Sequence, residues 1–251
     1  MILPLIGALA VGLSLGILGS GGSILTVPIL IYMLGEPKKV AIAESLGIVG
    51  FIALTGFIPY ALQKKVHWKS VLLFGLPGMA GAYFGAFLAH YILAEIQLLI
   101  FAGIMLLASV MMFRDQKPDD PSKARESISP WWIILQGIGV GTLTGLIGVG
   151  GGFLIVPALV LLGGLPMNLA VGTSLVIVTM QSATGFVKYL DVLGKINLSI
   201  NVHFMIIFGL IGAVGSFTGK KISSKISNER LKKGFAIFLI FMGSYIIYKN
   251  I

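Results

Sequence analysis

The chain has 251 residues, 57% of them hydrophobic and only 11% charged, with a formal net charge of +9 and no cysteine. Soluble domains carry about 25% charged residues, so this composition and a mean hydropathy of +1.00 exclude a water-facing surface and point to a polytopic membrane protein. The missing cysteines exclude disulfides, thiolate metal sites and a Cys nucleophile, and the positive charges sit in gaps between apolar runs, where membrane orientation needs them, not in a nucleic-acid patch.

The N-terminus opens Met1-Ile2-Leu3-Pro4 with no Lys or Arg ahead of its apolar run. A secretory signal opens with positive charge, so the first segment is expected to be retained. Apolar stretches follow at residues 2–18, 23–34, 40–62, 70–92 and 95–113. A charged, proline-containing linker spans 114–129, and the pattern restarts at 130–147, 152–163, 168–190, 199–222 and 230–248. Crossing the hydrocarbon takes about 20 apolar residues, whereas 10–14 suggests a re-entrant or partial segment. Three segments per half are long enough, the first of each half is marginal, and the second is too short.

The restart is a duplication. Gly16-Ile17-Leu18-Gly19-Ser20-Gly21-Gly22 and Pro28 align with Gly145-Leu146-Ile147-Gly148-Val149-Gly150-Gly151 and Pro157 at a constant offset of 129. The same offset pairs Glu44-Ser45-Leu46 with Thr173-Ser174-Leu175, Thr55-Gly56-Phe57 with Thr184-Gly185-Phe186, and Tyr60 with Tyr189. After a small insertion, Gly78, Gly81 and Gly85 match Gly212, Gly215 and Gly219. These ladders read as small-residue packing faces.

Loop charges set the relation between the halves. Four crossings per half would divide the 18 Lys and Arg ten against eight, which is no bias. An odd number of crossings gathers Lys64, Lys65, Lys69, Arg114, Lys117, Lys123, Arg125, Lys220, Lys221, Lys225, Arg230, Lys232 and Lys233 on one side. It leaves Lys38, Lys39, Lys188, Lys195 and Lys249 on the other. The second division obeys the positive-inside rule. The expectation is therefore an all-α polytopic membrane protein of two inverted repeats, each a Gly-broken helix pair plus three spanning helices. Residues 1–113 form the first repeat, 114–129 a cytoplasmic linker and 130–251 the second repeat, with both termini outside. Charge does not separate a re-entrant hairpin from two thin crossings.

The breaks Ser20-Gly21-Gly22 and Gly150-Gly151-Gly152 carry the sharpest functional signal. Irregular backbone at membrane depth is tolerated only when buried in protein or lining a polar cavity. Each break is expected to open into a short helix, near Ser23 and Gly152, whose free N–H groups favour an anion. Close packing alone is the bland reading of such glycines, and their duplication favours a midplane site between inverted halves. Glu44 lies one turn into an apolar run, where a carboxylate is a functional candidate able to take a proton or cation. Its alternative is an interfacial pairing with Lys38 or Lys39. Ser45, Thr173 and Ser174 add hydroxyl donors, and Gln181 serves either the site or helix adhesion. Lys188 and Tyr189 read as interface residues. His67, His90 and His203 are scattered, and neither a G-x-S-x-G elbow nor a metal-binding spacing occurs. The sequence offers an enzyme little and calls for no cofactor.

GILGSGGSILTVPIL and GLIGVGGGFLIVPAL, with AIAESL and AVGTSL after them, resemble the sulfite exporter TauE/SafE family over essentially the whole chain. The family's pattern falls on Gly21, Gly22, Pro28, Ser45, Gly150, Gly151, Pro157, Thr173 and Ser174, with Glu44 a departure. The resemblance implies a multi-pass inner-membrane carrier of a small anion, such as sulfite, a sulfonate or thiosulfate. A channel and a non-transporting scaffold are the alternatives. The implied partners are the anion and the lipid bilayer, with a coupling proton or Na+ and a homodimer compatible with the pattern.

Overall fold

A computed structural model describes residues 2–114, 130–148 and 152–250, so Gly150, Gly151 and nearly all of the 114–129 linker lie outside the described residues. Every described element is helical. In the first half these are α1 (Ile2–Leu18), the short arm α2 (Ser23–Met33), α3 (Lys38–Leu62), α4 (Trp68–Leu88) and α5 (Ala94–Arg114). The second half repeats them as α6 (Pro130–Ile147), the short arm α7 (Gly152–Pro157, continued by a π turn, Ala158–Leu162), α8 (Met167–Lys195), α9 (Val202–Ser223) and α10 (Asn228–Asn250).

Matching residues start matching helices. Pro37 and Pro166 precede α3 and α8 with φ of −54° and −57°, angles the proline ring presets. At α4 the His67 ring accepts from Ser70 N, and at α9 the Asn201 side chain accepts from Phe204 N, each satisfying an N–H that the first turn leaves open. Among the described residues six helices are long and apolar enough to cross a membrane: α3, α4, α5, α6, α8 and α9. That set adds one helix to the expected spanning segments. The marginal run at 130–147 qualifies as α6. The run at 230–248 belongs to α10, whose first two turns carry Glu229, Arg230, Lys232 and Lys233.

The halves interlock rather than stand side by side. α1 packs along α9 and α4 along α6, while α3 crosses α8 and α5 lies on α10. The glycine ladders make the first two contacts. A Cβ on Gly12 would overlap the Gly212 backbone, and one on Gly85 would overlap the carbonyl of Thr142. In α3 and α8 the facing residues run in opposite order. Gly47 meets Phe186, Gly50 meets Ser182 and Gly56 meets Leu175, so the two helices are antiparallel. The surface away from these contacts stays apolar, with Leu62, Leu107, Trp131, Val214 and Phe241 exposed, as a lipid-facing surface requires.

Gly85→Leu is expected to abolish monodisperse protein on fluorescence-detected gel filtration, because backbone fills the space its side chain needs. Gly103→Leu, with nothing within 4 Å of the added Cβ, is expected to elute as the unaltered chain does.

Candidate functional site

α1 and α6 both end on a left-handed glycine, Gly19 and Gly148, each with φ of +67°. A side chain there costs roughly 1–2 kcal/mol in backbone strain alone, and the surroundings forbid one as well. A Cβ on Gly19 would stand 2.9 Å from Ser174 Oγ and 3.0 Å from Val171 Cα, while one on Gly148 would strike Ile42 and stand 3.3 Å from the Tyr189 hydroxyl. The break of each half is thus seated on the opening turns of the other half's long helix.

Beyond Gly19 the chain winds as a tight 3-10 turn, Gly19–Leu25, holding Ser20, Gly21, Gly22 and the buried Ser23. The first arm is therefore helical from the break itself, not from Ser23 as its glycine content suggested. The second arm opens at Gly152. Turn 19–25 packs directly against 152–157, so the two arm starts are neighbours. Pro28 and Pro157 are each followed by a π turn, Ile29–Met33 and Ala158–Leu162, as expected where proline removes a helical N–H.

Ending a helix at membrane depth strands its last carbonyls, and buried side chains collect them. The Tyr60 hydroxyl donates to Gly16 O at 2.9 Å, and that of Tyr189 donates to Leu146 O at 3.2 Å. Gln97 Nε2 also donates to Leu146 O, and Ser45 Oγ donates to Gly148 O. Lys39 Nζ holds Gln97 Oε1 at 2.8 Å, caps the end of α4 through Ala89 O and binds Ile92 O in the loop beyond at 2.7 Å. On the other side Lys220 Nζ sits 3.7 Å above the Tyr60 ring. Tyr189 is therefore no interface residue, being fully buried. Its pairing with Tyr60 at the repeat offset was the available signal, and Gln97, a polar residue inside an apolar run, was the other.

The two arms carry no charged side chain. No Asp, Glu, Lys or Arg occurs before Glu36 or between Pro130 and Val187, so what they offer a solute is backbone N–H groups and hydroxyls. A family model described as sulfite exporter TauE/SafE matches residues 4–246. The chain belongs to the sulfite exporter TauE/SafE family. It is 30% identical to a probable membrane transporter protein of Methanocaldococcus jannaschii, over 98% of this chain and 96% of that one. It is 29% identical to counterparts in Xylella fastidiosa (96% and 92%) and Bacillus subtilis (100% and 98%). No solved structure matches it. Like its family, the chain is a multi-pass membrane transporter and not an enzyme.

Among the TauE/SafE positions, Ser45 and Ser174 are buried. Ser45 bonds Ile42 O as well as Gly148 O, and Ser174 bonds Val171 O beside Gly19. The antiparallel crossing puts these two serines toward opposite ends of the bundle. Glu44 and Thr173 are also separated. Glu44 Oε1 accepts from Asn201 N at 2.8 Å, and Thr173 Oγ1 accepts from His67 N at 2.9 Å, each tying down the loop beyond the other half's long helix. The interfacial pairing of Glu44 does not form, since Lys38 bonds Glu95 and Lys39 is engaged as above. Gln181 sits against Gly78, where the first half has Ile52 against Gly212, and neither of its amide atoms has a hydrogen-bond partner among the described residues. A lateral groove of about 540 Å³ between α3, α8 and α9, lined by Gly50, Phe51, Ser182, Phe186 and Met205 among others, is almost wholly apolar and opens toward lipid.

Tyr189→Phe removes one of the two donors on Leu146 O, and Tyr189→Phe with Gln97→Leu removes both. A stranded buried acceptor costs about 1–3 kcal/mol, so the double variant is expected to melt clearly below the single one in detergent. Tyr248→Phe, at an 81% exposed position, is expected to melt with the unaltered protein.

Proposed function

We propose that this chain is a secondary carrier for a small anion, a sulfur oxyanion such as sulfite, a sulfonate or thiosulfate, working by alternating access between two inverted repeats. One observation carries the reading: the breaks of both halves converge, with turn 19–25 against helix start 152–157, beside a crossing of antiparallel matching helices. The N–H groups that open turn 19–25, at Ser20 and Gly21, and those that open helix 152–157 bind the anion, which favours such helix starts. The absence of acidic residues from both arms supports this charge preference. Ser45 and Ser174, bonded to or lying against the break of the opposite half, tie anion occupancy to the relative position of the halves. Thr173 anchors a loop in the conformation described, and Gln181 supplies a polar contact when α8 moves relative to α4.

In this reading residues 1–113 and 130–251 are the repeats, and segment 114–129 is cytoplasmic in a cell (inner) membrane. The two termini are outside, and each arm completes a thin crossing. The chain has no native cysteine, so single-cysteine labelling tests the topology directly. Ser122→Cys is expected to react with a membrane-impermeant maleimide only in inverted vesicles, and a cysteine added after Ile251 only in intact cells. The opposite pattern contradicts the topology.

Transport is read in liposomes preloaded with unlabelled thiosulfate and given labelled thiosulfate outside. Saturable counterflow is expected, and its absence alongside unsaturable flux supports a channel instead. Ser45→Ala and Ser174→Ala each remove a hydroxyl worth about 0.5–1.5 kcal/mol, so each is expected to raise KM about two- to tenfold.

A further inference from the structure

At Glu44 the two halves anchor equivalent loops with different chemistry. Asn201 opens α9 and His67 opens α4, and each has its backbone N–H held by a side chain one turn into the other half's long helix. In one case the acceptor is the hydroxyl of Thr173, which cannot titrate. In the other it is the carboxylate of Glu44, which can. Glu44 is fully buried, and its second oxygen, Oε2, has no hydrogen-bond partner among the described residues.

The charges around Glu44 do not neutralise it. On its own helix Lys38 is committed to Glu95, and Lys39 to Gln97 and, through Ala89 O, the end of α4. From the preceding loop the charged group that acts on it is Glu36, another acid. At the near end of α8, Lys188 and Lys195 are both bound to Asp191, and on α9 His203 faces outward. A metal cation would need several oxygen ligands at once, and no group of three or more acids or histidines comes together among the described residues. A proton needs only the vacant Oε2.

We propose that Glu44 is a proton-binding site that latches loop 196–201 and couples proton movement to the carrier's cycle. When ionised, the carboxylate holds Asn201 N through a charge-assisted bond, roughly twice as strong as a neutral one. When a proton arrives on Oε2, the carboxyl becomes a weaker acceptor and the start of α9 is released. Opening of the loop uncovers Glu44 to the adjoining aqueous phase, where the proton exchanges. The opposite loop is held by the hydroxyl of Thr173, which offers no carboxylate for a proton to switch. The coupling part of this proposal rests on the carrier reading, whereas the latch does not.

The latch is tested by hydrogen–deuterium exchange of purified protein over an alkaline-to-acidic pH series, with protection corrected for intrinsic exchange. Segment 196–203 of the unaltered chain is expected to lose about tenfold protection on acidification, the difference between a charged and a neutral acceptor. Glu44→Gln, which keeps an acceptor for Asn201 N, and Glu44→Thr, which copies Thr173, are both expected to show no such change. A pH-independent unaltered chain, or a Glu44→Gln chain that still follows it, overturns the proposal. The coupling is read with a pH-sensitive dye inside liposomes under a thiosulfate gradient. The unaltered chain is expected to move protons with thiosulfate and Glu44→Gln to move thiosulfate alone, and proton movement by Glu44→Gln overturns the coupling. If neither chain moves thiosulfate, the carrier reading for that anion fails, and the exchange data still decide the latch.

Discussion

In hydrocarbon a backbone polar group has no water to turn to, so a helix interrupted at membrane depth must find partners for the carbonyls it releases. This chain interrupts two helices in that way, at Gly19 and Gly148, and much of the buried polar chemistry answers to those interruptions. Tyr60 takes Gly16 O, Tyr189 and Gln97 take Leu146 O, and Ser45 takes Gly148 O. Each tyrosine takes a carbonyl near the break of its own half. Lys39 orients Gln97, and Lys220 lies over Tyr60, so the braces are themselves braced.

Three of those braces, from Gln97, Ser45 and Lys220, run between the halves and help the repeats interlock. Ser45 of the first half holds the second break, and Val171 and Ser174 of the second half wall in the first. α1 finds its glycine-faced partner in α9, and α6 finds its own in α4. Neither half buries its small-residue faces alone. A movement of one half against the other must therefore displace a break.

Much of this was legible in the sequence. A constant offset of 129 exposed the duplication, and glycine ladders predicted the close contacts that α1–α9 and α4–α6 make. What the sequence hid were contacts between residues far apart along the chain. Asn201 and Glu44 are 157 positions apart, and Gln97 and Tyr189 are 92 apart. No local pattern announces such pairs. Glu44 and Thr173 align in the repeat, yet the antiparallel crossing sends them to opposite ends, so alignment gave their equivalence and not their separation.

The account rests on an anion held where the two arm starts converge. A structure of the protein with thiosulfate bound, located by the anomalous signal of its sulfur atoms, tests this most directly. The account predicts signal between turn 19–25 and helix start 152–157, within hydrogen-bond reach of backbone N–H groups from both arms. Thiosulfate ordered elsewhere in the bundle, with that junction empty at saturating concentration, would contradict it.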